Sequence, residues 1–301
     1  GKLILAIYAV LLPVLLVCSA VLYRLDVTAT QRENTRLYER FTQNACNEIA
    51  YLQADVLDIA TYFAVNSEVK TLLEAPAGTP PQSALFWYEQ TPVAFLQNIL
   101  AIKSHIKTLI LYPENGYAPF YISRDASVHD TDLANVRTGA LYSAAAGANG
   151  DVVWAQVAAN SGFYLQNKSD KIVACRELYD LAKRRPLGFL VIGMDAGEYR
   201  RICQNTLQAE NEGILVLSGG GQEFVTVGQL PAPALALAHS ADTQKQLAAA
   251  GNMRLETQEG TLFCCASATS GVQIYYYTPN ANRGSSNAIL LPLVLALVLI
   301  L

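Results

Sequence analysis

The chain has 301 residues, 52% of them hydrophobic and only 15% charged, with a formal net charge of −4. That hydrophobicity excludes intrinsic disorder, which needs few apolar residues and high charge, and the acidic balance argues against nucleic acid or an anionic inner leaflet as a partner. A chain of this length holds one large domain or two smaller lobes.

At the N-terminus, Leu3 to Tyr23 (LILAIYAVLLPVLLVCSAVLY) runs 21 residues without a charge between Lys2 and Arg24. About 20 apolar residues cross the hydrocarbon core, so the run predicts a first transmembrane helix over 3–23. A signal peptide is the rival, with Cys18-Ser19-Ala20 as its small-residue cleavage site. Its apolar region is usually only about 7 to 15 residues, however, and this run continues past that point. Pro13 is compatible with a span because neighbouring helices can re-satisfy the freed carbonyl.

From Arg24 to Glu74 the pattern is that of one long helix. Leu37, Phe41, Ala45, Ile49, Leu52, Val56, Ile59 and Phe63 recur every three or four residues as an apolar stripe, while Glu33, Arg36, Glu39, Arg40, Glu48 and Asp55 fill the other face. A helix of roughly 50 residues is about 75 Å long, so 24–82 is expected to be a stalk or spine on which later elements pack. Glu74 to Gln82 (EAPAGTPPQ) breaks the helix with three prolines and a glycine.

A second helix is expected over Ser83–Ser104. Ile106 to Ser123 (IKTLILYPENGYAPFYIS) reads as a hairpin turned at Pro-Glu-Asn-Gly. Asp151–Ala158, Lys171–Asp180 and Leu187–Asp195 supply three more strands, giving an antiparallel sheet with helices on one side. The pattern then recurs in shorter form: a helix at Glu198–Gln208, two strands around Gly219-Gly220-Gly221, and strands in Met253–Pro279 broken at Glu259-Gly260 and Ser270-Gly271. This second, smaller sheet leads into Ala288 to Leu301 (AILLPLVLALVLIL), 14 apolar residues without a charge. At roughly 21 Å that run is too short to span and reads as a cut second transmembrane helix, 288–301. The expected order is span, folded region, span, with residues 24–287 outside if Lys2 marks a cytoplasmic start.

The chemistry-bearing motifs are sparse. The three glycines lack the Gly-Lys-Ser/Thr of a phosphate loop, Ser67-Glu68-Val69-Lys70 lacks the companion elements of a serine nucleophile, and His105, His129 and His239 are isolated from other ligands at metal spacing. Five cysteines outside the first span, at 46, 175, 203, 264 and 265, read as buried free thiols, with one pair such as Cys175 and Cys203 open. No catalytic motif, metal site or cofactor is expected in this sequence.

The long helix ending NSEVKTLLEAP, the hairpin TLILYPENGYAPFYIS, the pair VACRELYD and LGFLVIGMDAGEYRRI, and the closing GVQIYYYTP together resemble the double Cache sensor ectodomain of bacterial receptors, over essentially the whole chain. The resemblance implies an α+β fold: a long N-terminal helix packed on two PAS-like (Cache) antiparallel-sheet lobes, flanked by two transmembrane helices. The membrane-distal lobe would be 83–200 and the membrane-proximal lobe 201–282. It further implies a small-molecule ligand in the distal lobe, at Tyr121, Trp154, Arg176, Tyr179, Asp180 and Asp195. Arg176 would pair a carboxylate and Asp195 accept from an ammonium; the structural alternatives are Trp154 as core filler and Arg176 ion-paired with Glu177 or Asp180. Amino-acid-binding members carry an Arg-x-Trp-Tyr element after the hairpin, and Ser123–Ala158 has Trp154 without it, which counts against an amino-acid ligand.

The function so implied is extracellular ligand sensing by a membrane receptor of the sensor histidine kinase type, a parallel homodimer in the lipid bilayer. A membrane-bound AraC-like regulator and a chemoreceptor are alternatives in the same class. A membrane-anchored extracellular hydrolase or adhesion module is the alternative from another class, disfavoured by the missing catalytic constellation and the lack of repeats.

Overall fold

The structure, a computed structural model, describes residues 2–76, 97, 100–180 and 185–280, without the side chains of 2–20, 22 and 26. Among the described residues no helix is long and apolar enough to cross a membrane. Both expected spans, 3–23 and 288–301, and most of the expected helix over 83–104 rest on residues or side chains outside that set.

Helix α1 runs Lys2–Val65, and α2 follows as Ser67–Glu74. The single helix expected to reach Glu74 is therefore two. Asn66 lies between them with extended backbone (ψ 124°), and its side chain accepts from the Glu68 and Val69 amides at 2.8 and 3.0 Å. Asparagine competes with the helix for its own backbone, which suits it to such a cap. Asn66→Ala is expected to lower stability by about 1 kcal/mol, read as a shifted urea midpoint with unchanged slope.

The apolar stripe of α1 also drifts. Ala45, Ile49, Val56, Ile59 and Phe63 are buried as expected, but toward the N-terminus Tyr38 faces the lobes and Leu37 is 39% exposed. Apolar residues spaced mostly by four slip round a helix of 3.6 residues per turn, so the stripe does not stay on one face over its roughly seven turns. Asp55, assigned to the polar face, is buried; it accepts from Lys103 Nζ at 2.7 Å.

The first sheet contains β1 (Ile106–Pro113), β2 (Phe120–Ser123), β4 (Val153–Val157), β6 (Lys171–Asp180) and β7 (Arg185–Asp195), in the order β2-β1-β7-β6-β4 and antiparallel throughout. Side chains alternate between two cores. Leu109, Leu111, Ile172, Ala174, Leu190 and Ile192 pack toward α1; Ile110, Tyr112, Val173, Cys175, Phe189 and Val191 pack on the opposite face. That opposite face is covered by α3 (Leu133–Arg137), α4 (Ala140–Gly147) and a strand pair, β3 (Val128–His129) with β5 (Tyr164–Gln166). Helices thus flank both faces, contrary to the one-sided expectation. Central strands as continuously apolar as GFLVIGM need cover on both sides.

After α5 (Ala196–Thr206), the second sheet contains β8 (Gly213–Leu217), β9 (Glu223–Gly228), β10 (Asn252–Glu256), β11 (Gly260–Ala266) and β12 (Gln273–Pro279), in the order β10-β11-β12-β8-β9. Gly221, at φ +80°, sits in the β8–β9 turn, where the triple glycine was read as a hairpin turn. One face of this sheet packs on α1 and the other under α6 (Ala232–Ala238) and α7 (Ala241–Ala250), two helices not read from the sequence. One continuous core follows α1 through both lobes.

Candidate ligand site on the first sheet

The face of the first sheet turned away from α1 carries a polar cluster inside an otherwise apolar core. Lys171 opens β6 and Thr108 lies in β1; between them, on β7, Gly193 stands opposite Thr108. A Cβ at Gly193 would overlap both the Thr108 hydroxyl and the Tyr164 hydroxyl. The absence of a side chain lets Tyr164, brought over the sheet by β5, reach Thr108 with an O···O distance of 2.6 Å.

Lys171 is fully buried, its Nζ paired with Asp125 Oδ2 and 5.8 Å from the Tyr164 ring centre. A buried ammonium is tolerated only when paired and hydrogen-bonded, and Asp125 supplies that pairing. The other carboxylate oxygen accepts from Ser127 Oγ at 2.7 Å, Ser123 Oγ at 3.0 Å and the Ser127 amide at 3.2 Å. Burial works to raise the Asp125 carboxyl, but the bonds from Lys171, Ser127 and Ser123 outweigh it and hold the group down at about 2.

Beside this pair, Tyr121 of β2 stacks on His129 of β3 with ring centres 3.9 Å apart. Tyr112 meets the same imidazole edge-on and donates its hydroxyl to the Asp130 carbonyl at 2.8 Å. His129 is buried and its Nε2 has no hydrogen-bond partner. A cation, an anion, an aromatic face and an unsatisfied imidazole nitrogen therefore converge beneath the β3–β5 cover. That convergence of polar and aromatic groups makes the cluster the candidate site.

Of the six residues named from the resemblance, Tyr121 lies in this cluster. Asp195 ends β7 opposite Lys171 in register, and its carboxylate caps α5 by accepting from the Gly197 amide at 2.8 Å. Trp154 packs into the α1-side core. Arg176 points the same way by alternation with Ala174 and Leu178; its Nε is buried without a hydrogen-bond partner. Tyr179 and Asp180 lie at the far end of β6 beyond a register shift, with Asp180 buried and 3.7 Å from Lys70 of α2. The structure thus does not bring the six together. Thr108, Asp125, His129, Tyr164 and Lys171 were missed; the one signal available was a lone lysine heading the apolar strand KIVAC.

Burial lowers the affinity of His129 for protons, with Asp130 opposing, and burial likewise lowers that of His105, with Asp55 opposing. Both folded values fall below the ordinary 6.5, so between those values and 6.5 the unfolded chain binds more protons and stability rises with pH. Their contribution is complete above 6.5 and is lost as pH falls through the folded values. Melting temperature is expected to drop over that window in the parent and to drop less in His129→Asn.

One long helix carrying two five-stranded antiparallel sheets is the double Cache arrangement, and the chain has that fold. The periplasmic sensory domain of the Campylobacter jejuni chemoreceptor Tlp1 shares it at TM-score 0.58 and 9% identity, covering 85% of this chain and 98% of that one. The extracellular domains of mmHK1S-Z3 and vpHK1S-Z8, both described as histidine kinases, share it as well. The first gives TM-score 0.53 and 13% identity over 82% of this chain and 94% of that one. The second gives 0.51 and 9% over 86% and 98%. No protein-family model matches the sequence, and no curated protein matches it.

Proposed function

We propose that the chain is the extracellular ligand-sensing region of a bacterial membrane receptor of the sensor histidine kinase type, held in the bilayer at 3–23 and 288–301. The distal lobe is 83–200 and the proximal lobe 201–282. The observation that carries this reading is the buried Lys171–Asp125 pair beside the Tyr121–His129 ring pair, under the short β3–β5 strand pair. A small carboxylate- or amine-bearing molecule would exchange partners with the pair, so its binding would cost little extra desolvation.

The kinase type is supported by the likeness to mmHK1S-Z3 and vpHK1S-Z8, whereas the likeness to Tlp1 favours a chemoreceptor. Fold alone does not choose between them. Full-length protein in vesicles, titrated with small acids, amines and zwitterions, is expected to bind one class with affinity abolished by Lys171→Met. Binding untouched by that substitution would overturn the site. Ligand-dependent transfer of phosphate from ATP to a histidine would support the kinase type, and its absence would leave the chemoreceptor reading.

Parallel dimerisation through α1 is part of the same proposal. Leu25, Leu37 and Tyr51 leave 63, 39 and 64% of their surface exposed on this helix. Cysteines placed at Thr28 or Gln31 in the membrane-held protein are expected to cross-link between subunits; no cross-link at any juxtamembrane position would exclude the dimer.

A further inference from the structure

A furrow runs between α1 and the edge of the second sheet. The helix packs on the two strands next to that edge: the Tyr38 ring centre lies 5.5 Å from those of both Phe263 in β11 and Tyr276 in β12. The edge strand, β10, offers the helix nothing apolar. Arg254 stands opposite Phe263 in register, so Asn252, Arg254 and Glu256 lie on the face turned to α1, while Met253 and Leu255 pack into the opposite core. Two contiguous hollows result, of about 600 and 370 Å³, with Arg36, Glu39 and Arg254 in the walls of both.

The charge along this furrow is uneven. Arg32, Arg36 and Arg40 stand four residues apart on one side of α1, all exposed, and among the described residues none of the three has an ion-pair partner. Like charges at that spacing repel one another. Arg254 faces them from β10, and the carboxylate beside it is already engaged: Glu256 holds Arg254 Nε at 3.1 Å and accepts from the Thr261 hydroxyl at 2.5 Å. Glu33 and Glu39 remain, two carboxylates against three guanidiniums in a chain whose net charge is −4.

We propose that this furrow binds a small multivalent oxyanion, one carrying two or more carboxylate or phosphate groups, as a second ligand site separate from the first-sheet cluster. Successive arginines rise about 6 Å along the helix, and each guanidinium presents a fork that takes one such group bidentately. A monovalent anion meets one fork. A multivalent anion bridges two, and by reaching Arg254 it ties α1 to β10. Such a tie limits sliding of α1 against the second sheet, the motion that a signal through this fold needs. That consequence rests on the receptor reading above, whereas the binding itself does not.

Lipid phosphate offers the same chemistry at the wrong depth. With 3–23 spanning the bilayer, Arg36 and Arg40 lie about 20 and 26 Å beyond Tyr23, whereas the headgroup layer adds only about 5–8 Å to each side of the hydrocarbon core. The occupant is therefore a dissolved anion.

Full-length protein in phosphatidylcholine vesicles is titrated calorimetrically with tripolyphosphate, with citrate and, as the monovalent control, with acetate. Saturable binding of tripolyphosphate or citrate but not of acetate is expected, weakened about tenfold or more by Arg36→Ala and by Arg254→Ala. Both substitutions remove exposed side chains, and an unaltered melting temperature checks that the fold survives them. Arg201→Ala, which removes an exposed arginine of α5 outside the furrow, should leave the affinity unchanged. No saturable binding, or binding that Arg36→Ala leaves intact, would overturn the proposal. An equal loss in Arg201→Ala would do the same, since it would report only the field of the whole surface. Lys171→Met separates the two sites: affinity kept in that variant supports the furrow, and affinity lost there places the anion at the first-sheet cluster instead. Phosphatidylglycerol added to the vesicles separates the sources, because unchanged tripolyphosphate affinity supports a dissolved anion and competition by the anionic lipid rules it out.

Discussion

Replacing Glu212 by Leu is expected to lower stability by about 3–5 kcal/mol, the largest effect of any single substitution considered for this chain. Glu212 is fully buried in the loop between α5 and β8. One carboxylate oxygen accepts from the Tyr38 hydroxyl of α1 at 2.8 Å and from Thr278 of β12 at 3.3 Å. The other accepts from the Tyr276 hydroxyl at 2.6 Å and from the Gln208 and Ala209 amides at 2.9 and 3.0 Å. Leucine fills a similar volume and accepts nothing, so these donors stay buried without an acceptor, at about 1–3 kcal/mol for each that cannot relax. For a domain of this size that corresponds to a fall in melting temperature of roughly 6–20 °C. Scanning calorimetry checks it, and a loss below about 1 kcal/mol would mean that the carboxylate does not hold these donors together.

The same carboxylate joins the first helix to the last strand. Tyr38 belongs to α1 and Tyr276 to β12, so a shift of either element strains a shared set of charge-assisted hydrogen bonds. Tyr38→Phe should cost about 1–2 kcal/mol, and its effect should be strongly non-additive with Glu212→Leu because both remove the same bond.

Strands were legible wherever local composition decides. LGFLVIGMD, KIVACRELYD and both glycine-broken runs of the second lobe appear within a residue or two of their expected bounds, because β-branched and apolar runs bounded by turn residues have few other folds available. The long helix was legible as well, apart from the break at Asn66, where one side chain satisfying two amides outweighs the lack of Gly or Pro. The short helices α4 and α6 went unread because alanine-rich segments such as ALYSAAAG carry no polar face to reveal a period, and α3, at five residues, is too short to show one.

The site was illegible for a different reason. Alternation along β6 separates Lys171, Val173 and Cys175 from Ile172, Ala174 and Arg176, but nothing local says which set faces α1. Arg176 was named from the resemblance, and the structure places it on the α1 side of β6, opposite in parity to Lys171. Lys171 gains its meaning from Asp125, 46 residues away, and Glu212 from Tyr38, 174 residues away. Such pairings exist only once the sheet has assembled.

Substituting Lys171 by Met tests the Lys171–Asp125 cluster most directly. The methionine keeps the apolar stem and removes the fully buried ammonium, leaving Asp125 with its serine donors alone. Breaking a buried pair costs about 3–5 kcal/mol, but 21% of the Asp125 side chain remains exposed, so water recovers part of the loss and about 2–3 kcal/mol is expected at neutral pH. The acid limb provides the second readout. In the parent, Asp125 titrates at about 2 rather than at its ordinary 3.8, so the unfolded chain binds more protons between those values. The stability this supplies is complete above 3.8 and lost as pH falls toward 2. After discount for exposure it amounts to about 1–2 kcal/mol, and Lys171→Met should flatten that part of the profile. Asp125→Asn in the Lys171→Met background should recover some of the neutral-pH loss, since it removes the uncompensated charge, whereas Asp125→Asn alone should destabilise. Independent, additive losses from the two substitutions would show that the ammonium and the carboxylate do not act as a pair, and the site built on them would fall with it.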